Sequence, residues 1–218
     1  MLELTRPGGI FEYGPDRSRL LLRVMRALGQ GRPLSVDQVD RILTESGMVP
    51  DEAHDFLGQV AERELDDTLV GILGLSLRET PHRFTLAGRQ LFTWCAADTL
   101  FLPSLLGHTA SVESQSPVGQ TKVRLTVSPR RVEAVDPGGA VVSIVVVDPN
   151  AAELRSVEAL WGTFCHHIFI FGARQEAEGW AASRVNRDSI EIVSVDEAFE
   201  VGQLLASTLL AQEAVGAR

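Results

Sequence analysis

The chain is short of positive charge and of long apolar runs. Lys122 is its only lysine, and 29 acidic residues outnumber 20 basic ones, for a formal net charge of −9. Because phosphate binding rests on clustered lysine and arginine, no nucleic-acid partner is expected. The longest strongly apolar runs, such as VVSIVVV at 141–147, fall far short of the ~20 residues that span a bilayer, so no membrane anchor is expected.

Cysteine is also scarce, with only Cys95 and Cys165 in 218 residues. Two cysteines do not make a disulfide scaffold, and in a reducing cytosol both should be free thiols. Charges and glycines interrupt the first 19 residues, where a signal peptide needs an unbroken apolar segment. We therefore expect a cytoplasmic protein.

The first 80 residues have the pattern of three helices followed by a wing. Apolar spacing predicts helices over Asp16–Leu28, after Ser35, and from Asp51 to about Leu65. Ser35 and Gln38 form a capping box for the second helix, which can end at Gly47 in a left-handed conformation. Alternation in TLVGILGLSLRET and HRFTLAGRQLF predicts two short strands. Residues 1–80 are thus predicted to be a helical, winged-helix-like domain.

Charge argues against DNA binding by this domain, although winged helices usually place the third helix in the major groove. The segment from Asp51 to Thr68 contains one basic residue, Arg63. It contains seven acidic residues: Asp51, Glu52, Asp55, Glu62, Glu64, Asp66 and Asp67. These acids would repel a phosphate backbone. The region is interpreted as a packing or lid domain.

Residues 81–218 are predicted to form a second domain, mainly an antiparallel sheet with flanking helices, which makes the fold class α+β. Pro103 is expected to break the helix around Cys95, and TKVRLTVSP, RRVEAV and AVVSIVVVD should form a meander. FCHHIFIF is predicted as a strand that places Cys165, His167, Phe169 and Phe171 on one face. Helices are expected over Gln175–Trp180 and Asp196–Leu210.

The segment TWCAAD places Cys95 three residues before Asp98, so on a helix both would share one face, with Trp94 alongside. A lone buried cysteine is most often an inert core residue, but a carboxylate in apolar company is costly unless it is paired. Zinc is a second possibility, with Cys95, Asp98, Cys165 and His167 as ligands, yet the sequence lacks the close CxxC or HxxxH spacing.

Five segments support a third interpretation. In order they are WCAADTLFLPSLLG, SVESQSPVGQ, LTVSPRRVEAVDPGGAVVS, FCHHIFIFGA and IVSVDEAFEVGQ. Together they resemble the bacterial organomercurial lyases, also called alkylmercury lyases, over roughly residues 75–206. An ordered set of segments around both cysteines is more specific than either segment alone.

The resemblance implies an enzyme that splits the carbon–mercury bond of compounds such as methylmercury, giving a hydrocarbon and Hg(II). It assigns the two catalytic cysteines to Cys95 and Cys165 and the catalytic aspartate to Asp98. Thiolates are soft ligands that select such metals, and a nearby base makes a thiol competent. The proton that Asp98 acquires can then protonate the leaving carbon.

The same resemblance implies the ligands and partners. Hg(II), once formed, should stay bound by Cys95, Cys165 and Asp98, and no cofactor should be required. Cellular thiols or a mercuric reductase are the expected product acceptors. The alternatives are a mercury-binding or metal-sensing protein without turnover, and a zinc-dependent hydrolase.

Two positions depart from the family pattern. Relatives often carry cysteine where this chain has Ser116, and some carry a second cysteine where it has His166. Neither position belongs to the essential three, so activity is still expected. His166 and His167 are left out of the catalytic set, because paired histidines are more often packed than used as ligands.

Overall fold

The structure is a computed structural model of the chain, and it describes residues 12–119, 121–146, 156–185 and 187–215. The first 11 residues, which bear most of the argument about a signal peptide, lie outside the described residues. Among the described residues, no helix is both long and apolar enough to cross a membrane.

Three amphipathic helices open the described chain, as predicted: α1 (Pro15–Leu28), α2 (Val36–Ser46) and α3 (Pro50–Val60). The capping box of α2 is present: the Ser35 side chain accepts from the Gln38 N–H, and the Gln38 side chain accepts from the Ser35 N–H. Gly47 ends α2 with a φ of 78°, a left-handed conformation that glycine adopts without penalty. The predicted extension of α3 to Leu65 is wrong, because the chain turns into a strand after Val60.

Eight antiparallel strands form the main sheet, in the order β1-β2-β3-β5-β4-β6-β7-β8. They are β1 (Ala61–Arg63), β2 (Leu69–Ile72), β3 (Leu75–Ser76), β4 (His82–Leu86), β5 (Arg89–Thr93), β6 (Ala110–Gln115), β7 (Lys122–Val127) and β8 (Val132–Asp136). The two short strands predicted between residues 68 and 92 are in fact four, because each segment doubles back on itself at a tight turn.

A second, three-stranded sheet has the order β10-β9-β11, with β9 (Val141–Val145), β10 (Ile170–Phe171) and β11 (Ile190–Ser194). The meander predicted through AVVSIVVVD is therefore right for β7 and β8, which are neighbours in the main sheet, but wrong for β9. All five residues of β9 are buried, so this strand has no solvent face and lies in the core. The end of the predicted strand, at 147–148, lies outside the described residues.

The described part of the chain has four further helices: α4 (Asp98–Leu106), α5 (Val157–Thr163), α6 (Arg174–Ala182) and α7 (Val195–Val215). Pro103 lies inside α4 and does not break it, contrary to prediction. Because seven of the nine residues of α4 are buried, tertiary packing offsets the one backbone hydrogen bond that proline removes. Helix α7 packs against both α4 and α1.

The mixed α+β class with a mainly antiparallel sheet is confirmed. The division at residues 80 and 81 stays a prediction, and the main sheet runs across it from β1 to β8. One hydrophobic core likewise includes Leu20 of α1, Leu75 of β3 and Leu209 of α7. The helices and strands on both sides of residue 80 therefore pack around a shared interior.

Candidate active site

Cys95 lies in a turn that joins β5 to α4, and Asp98 is the first residue of that helix. The prediction that both residues lie on one helix is therefore wrong, because Cys95 precedes the helix. The expectation that their side chains lie side by side is right. The carboxylate folds back over the turn, and its Oδ2 accepts the Cys95 N–H at 2.7 Å. Thr93 Oγ1 fixes the same turn by donating to the Cys95 carbonyl at 2.8 Å.

Cys165 begins a 3₁₀ turn, Cys165–His167, between α5 and β10. The strand predicted over FCHHIFIF is limited to Ile170–Phe171, so the predicted common face from Cys165 to Phe171 is wrong. A hydroxyl from β9 holds the turn instead: Ser143 Oγ donates to the His167 carbonyl at 2.8 Å and accepts the Phe169 N–H at 3.0 Å.

The two segments meet at a backbone hydrogen bond from the Ala96 N–H to the Ile168 carbonyl, 3.3 Å long. As a result, the sulfurs of Cys95 and Cys165 and a carboxylate oxygen of Asp98 lie within 4.8 Å of one another. All three side chains are buried. The fold thus brings together two cysteines that lie 70 positions apart in the sequence, and the three groups can share one metal-sized atom.

Burial governs the protonation of this cluster. It raises the pKa of the Cys95 thiol well above its ordinary value, and the adjacent Cys165 and the negative charge of Asp98 raise it further. Burial also raises the pKa of Asp98 to about 6, against the opposing effect of its hydrogen bonds with Cys95. At neutral pH the proton therefore resides on the Cys95 sulfur, and Asp98 is a carboxylate poised to accept it.

An apolar cavity of about 80 Å³, here called the inner cavity, opens beside the three groups. Its walls come from several elements and include Leu73, Phe101, Ile144, Phe164, Ile168 and Leu205. Among the described residues that line it, Asp98 is the only one with a charged side chain. The inner cavity can accept a small hydrocarbon group next to both sulfurs.

Gly74, which the sequence analysis missed, permits the close packing around Asp98. It lies in the turn between β2 and β3 with a φ of 87°, a conformation that favours glycine. A Cβ at this position would stand 2.5 Å from Asp98 Cγ, so any other residue would displace the carboxylate. In the sequence, Gly74 lies inside TLVGILGLSLRET, which was predicted as one strand, so nothing marked a turn there.

Glu62 was also missed. This buried carboxylate on β1 accepts from Trp94 Nε1 at 3.0 Å and from Ser76 Oγ at 2.8 Å, and it pairs with Arg78 at 3.1 Å. Trp94 lines the inner cavity beside Cys95, and its ring packs edge-on against Trp161 at 5.8 Å between centroids. Glu62 thereby holds one wall of the site in place. Nothing in the sequence marks it out from the other acids nearby.

The positions that depart from the family pattern lie outside the three-group cluster. Ser116 follows β6, where its Oγ donates to Glu176 Oε1 at 2.6 Å and accepts the Val118 N–H at 3.2 Å, so it secures a turn to α6. His166 is exposed, and His167 is half-buried with its pKa lowered mainly by burial. Their omission from the site remains a prediction.

Known proteins with similar sequences decide the family. A family model described as alkylmercury lyase matches residues 75–207. An alkylmercury lyase from Pseudomonas putida is 36% identical over 193 residues, which cover 88% of this chain and 84% of that protein. The chain belongs to the alkylmercury lyase family. Another member, from Streptomyces lividans, is 35% identical over 205 residues, covering 93% of this chain and 87% of that protein.

A solved structure supports the fold of this family member. The mercury-bound form of MerB2 superimposes with a TM-score of 0.76, covering 96% of this chain and all of that one. At 24% sequence identity, this likeness shows the fold alone. The lyase relatives and the MerB2 fold agree in covering nearly the whole chain, including the residues before position 75.

Proposed function

We propose that this chain cleaves the carbon–mercury bond of organomercurials by protonolysis, with Cys95, Asp98 and Cys165 as the catalytic residues. The observation that carries the proposal is the approach of two sulfurs and a carboxylate oxygen to within 4.8 Å, beside an apolar cavity. Membership of the alkylmercury lyase family favours this function over a non-catalytic mercury-binding protein or a zinc hydrolase.

The first step is capture of the metal by Cys95. Asp98 takes the thiol proton as the sulfur bonds to mercury, which overcomes the high pKa that burial gives this thiol. Mercury prefers soft thiolate sulfur to the oxygen ligands that water offers. The product of this step is a mercury atom bound to Cys95 and to its organic group, next to a protonated Asp98.

The second step breaks the carbon–mercury bond. Cys165 adds its sulfur to the metal, which weakens the bond to carbon, and the neutral Asp98 delivers its proton to that carbon. For a thiol-bound substrate RHg–SR′, the atoms balance as RHg–SR′ plus two protein thiols giving RH, R′SH and Hg(II) bound to both sulfurs. One thiol proton ends on carbon and the other on the departing R′S group, so the scheme needs no cofactor.

The inner cavity can bind the organic group of the substrate in this scheme. Because its walls are apolar, a hydrocarbon group gains free energy by leaving water for it. The same surroundings disfavour a charge on Asp98, whose pKa of about 6 keeps proton transfer in both directions accessible near neutral pH. Water is kept from competing with carbon for the proton.

The proposal extends to the release of the product and to the role of the first three helices. We propose that Hg(II) remains between Cys95 and Cys165, with Asp98 as a weaker ligand, until cellular thiols or a mercuric reductase remove it in the cytoplasm. We also propose that the winged-helix-like arrangement of α1 to α3 has a packing role and does not bind DNA. Seven acidic residues between Asp51 and Thr68 support that role.

The test is incubation with methylmercury and excess thiol, with methane measured by gas chromatography. We expect one equivalent of methane per protein in a fast first turnover, then a slower rate that rises with thiol concentration, since release of Hg(II) limits later turnovers. Metal analysis of the purified protein separates the zinc hydrolase, which should carry about one equivalent of zinc. Absence of methane would refute the proposal.

A further inference from the structure

Two spaces of different character adjoin Cys165. One is the inner cavity, which also reaches Cys95 and Asp98. The other, here called the outer groove, has a volume of about 480 Å³ and is lined by Arg78, Glu79, His82, Trp94, Cys165 and His166, among others. Cys95 and Asp98 do not line the outer groove. Cys165 and Trp94 are shared by both spaces, so they form the partition between them.

The inner cavity is too small for a hydrophilic thiol in addition to an organic group. A cavity of about 150 Å³ is filled by one benzene molecule, whereas the inner cavity has about 80 Å³. Its apolar walls would also leave the polar groups of such a thiol without hydrogen-bond partners, which is costly. A thiol that reaches mercury on Cys165 therefore needs another approach.

The outer groove has the size and the chemistry for that approach. Its volume is six times that of the inner cavity, and its rim carries both signs of charge, with Arg78 and Glu79 on one side and His166 next to Cys165. Arg78, Glu79 and His166 are all exposed. The aromatic rings of Trp94 and Trp161 form part of its wall. Such a surface suits a small thiol that bears amino or carboxylate groups.

We propose that the outer groove is the binding site of the hydrophilic thiol that carries mercury into the site and later removes it past Cys165. In a substrate RHg–SR′, the R group occupies the inner cavity while the R′S group lies in the outer groove. After cleavage, two thiols exchange with the bound metal: two R′SH plus Hg(II) on two cysteine sulfurs give Hg(SR′)₂ and two protein thiols. Each incoming thiol passes its proton to the cysteine that it displaces.

This inference rests on the proposed function, but its test does not require cleavage of a carbon–mercury bond. The protein is loaded with one equivalent of HgCl₂, and the rate of transfer to added thiol is followed by ultraviolet absorbance of the mercury thiolate. Two probes are compared, the anionic mercaptosuccinate and the neutral mercaptoethanol. The quantity compared is the ratio of the transfer rate to mercaptosuccinate over the transfer rate to mercaptoethanol. Differences in folding or metal loading between variants change both rates equally, so they cancel in this ratio.

The variants change charge on the groove without touching the catalytic groups. Glu79→Lys should raise the mercaptosuccinate-to-mercaptoethanol ratio by about two- to fivefold at low salt, and His166→Glu should lower it by a similar factor. Both effects should shrink in 0.5 M salt, because screening weakens them. Asp55→Lys, the matched control, makes the same charge change on an exposed residue of α3 outside the groove and should leave the ratio unchanged.

The outcomes are distinct. Opposite shifts for Glu79→Lys and His166→Glu, with none for Asp55→Lys, support the groove as the thiol site. A ratio that responds equally to Glu79→Lys and Asp55→Lys, or to neither groove variant, overturns it. Failure of the unaltered protein to hold HgCl₂ would refute both this inference and the proposed function. Normal mercury transfer without methane from methylmercury would refute the proposed function alone.

Discussion

Replacing Asp98 by asparagine should stabilise the folded protein at neutral pH while removing carbon–mercury cleavage. Burial raises the pKa of Asp98 from an ordinary value of 3.8 to about 6. The folded state therefore holds the Asp98 proton more tightly than the unfolded state does. Between pH 4 and pH 6 the unfolded chain loses this proton first, so the unaltered protein loses stability as pH rises through this window. Asparagine has no proton to lose.

The size of this change in the free energy of unfolding follows from the shift in the pKa of Asp98. A difference of about two pKa units corresponds to about 3 kcal/mol, at about 1.36 kcal/mol per unit. Most of this loss of stability is absent at pH 4, where Asp98 is protonated in the folded protein, and nearly all of it is present at pH 7.5. The amide oxygen of asparagine can still accept the Cys95 N–H, which preserves the turn. The stability advantage of Asp98→Asn should thus grow by about 2 kcal/mol between pH 4 and pH 7.5.

Urea unfolding of both proteins at pH 4 and pH 7.5, under reducing conditions, measures this growth directly. A pH-independent effect of the amide cancels when the two pH values are compared. Asp55→Asn, at an exposed acid on α3, serves as a control and should show no such growth. If the advantage of Asp98→Asn were equal at both pH values, the argument from burial would be wrong. Mercury binding should persist in Asp98→Asn while methane production is lost.

Four further substitutions have defined outcomes. Cys95→Ser and Cys165→Ser should each remove nearly all methane production with an unchanged circular dichroism spectrum, because the chain has no third thiol; native turnover by either would contradict the two-thiol scheme. Gly74→Ala should cost more stability in urea, and more activity, than Gly88→Ala, since both have positive φ but only the first Cβ would meet a neighbour. Equal losses would disprove the role of close packing. Ser35→Ala should lose about 1 kcal/mol in urea unfolding through its helix cap with methane production unchanged.

Elements governed by local chemistry were predictable from the sequence. The amphipathic stripe of α1, the capping box of α2 and the closing helix α7 all depend on residues close together in the chain, and all three are present. The identity of the three candidate site residues came from the resemblance to a family, and the fold brings those residues together. Their catalytic roles stay predictions until the variants are measured.

Elements governed by distant contacts were not predictable. FCHHIFIF has the aromatic and β-branched composition of a strand, yet Ser143 on β9 bonds to both sides of the turn after Cys165. Pro103 reads as a helix breaker in isolation, but burial of α4 keeps it in a helix. Glu62 and Gly74 act on the site only through folded contacts, so no local pattern could identify them.

The hydrogen bond from Trp94 to Glu62 shows that the site depends on residues outside the catalytic segment, which matters for moving the site into another protein. The match to the family model begins at residue 75, and a chain shortened to the matched segment would keep all three reactive side chains. It would lose the carboxylate that anchors the Trp94 indole and the glycine that makes room for Asp98. It would also strip α1 from α7, where Ser18 Oγ donates to Gln212 at 2.6 Å. Grafting this chemistry onto another scaffold therefore means carrying over the early strands and helices as well as the reactive groups.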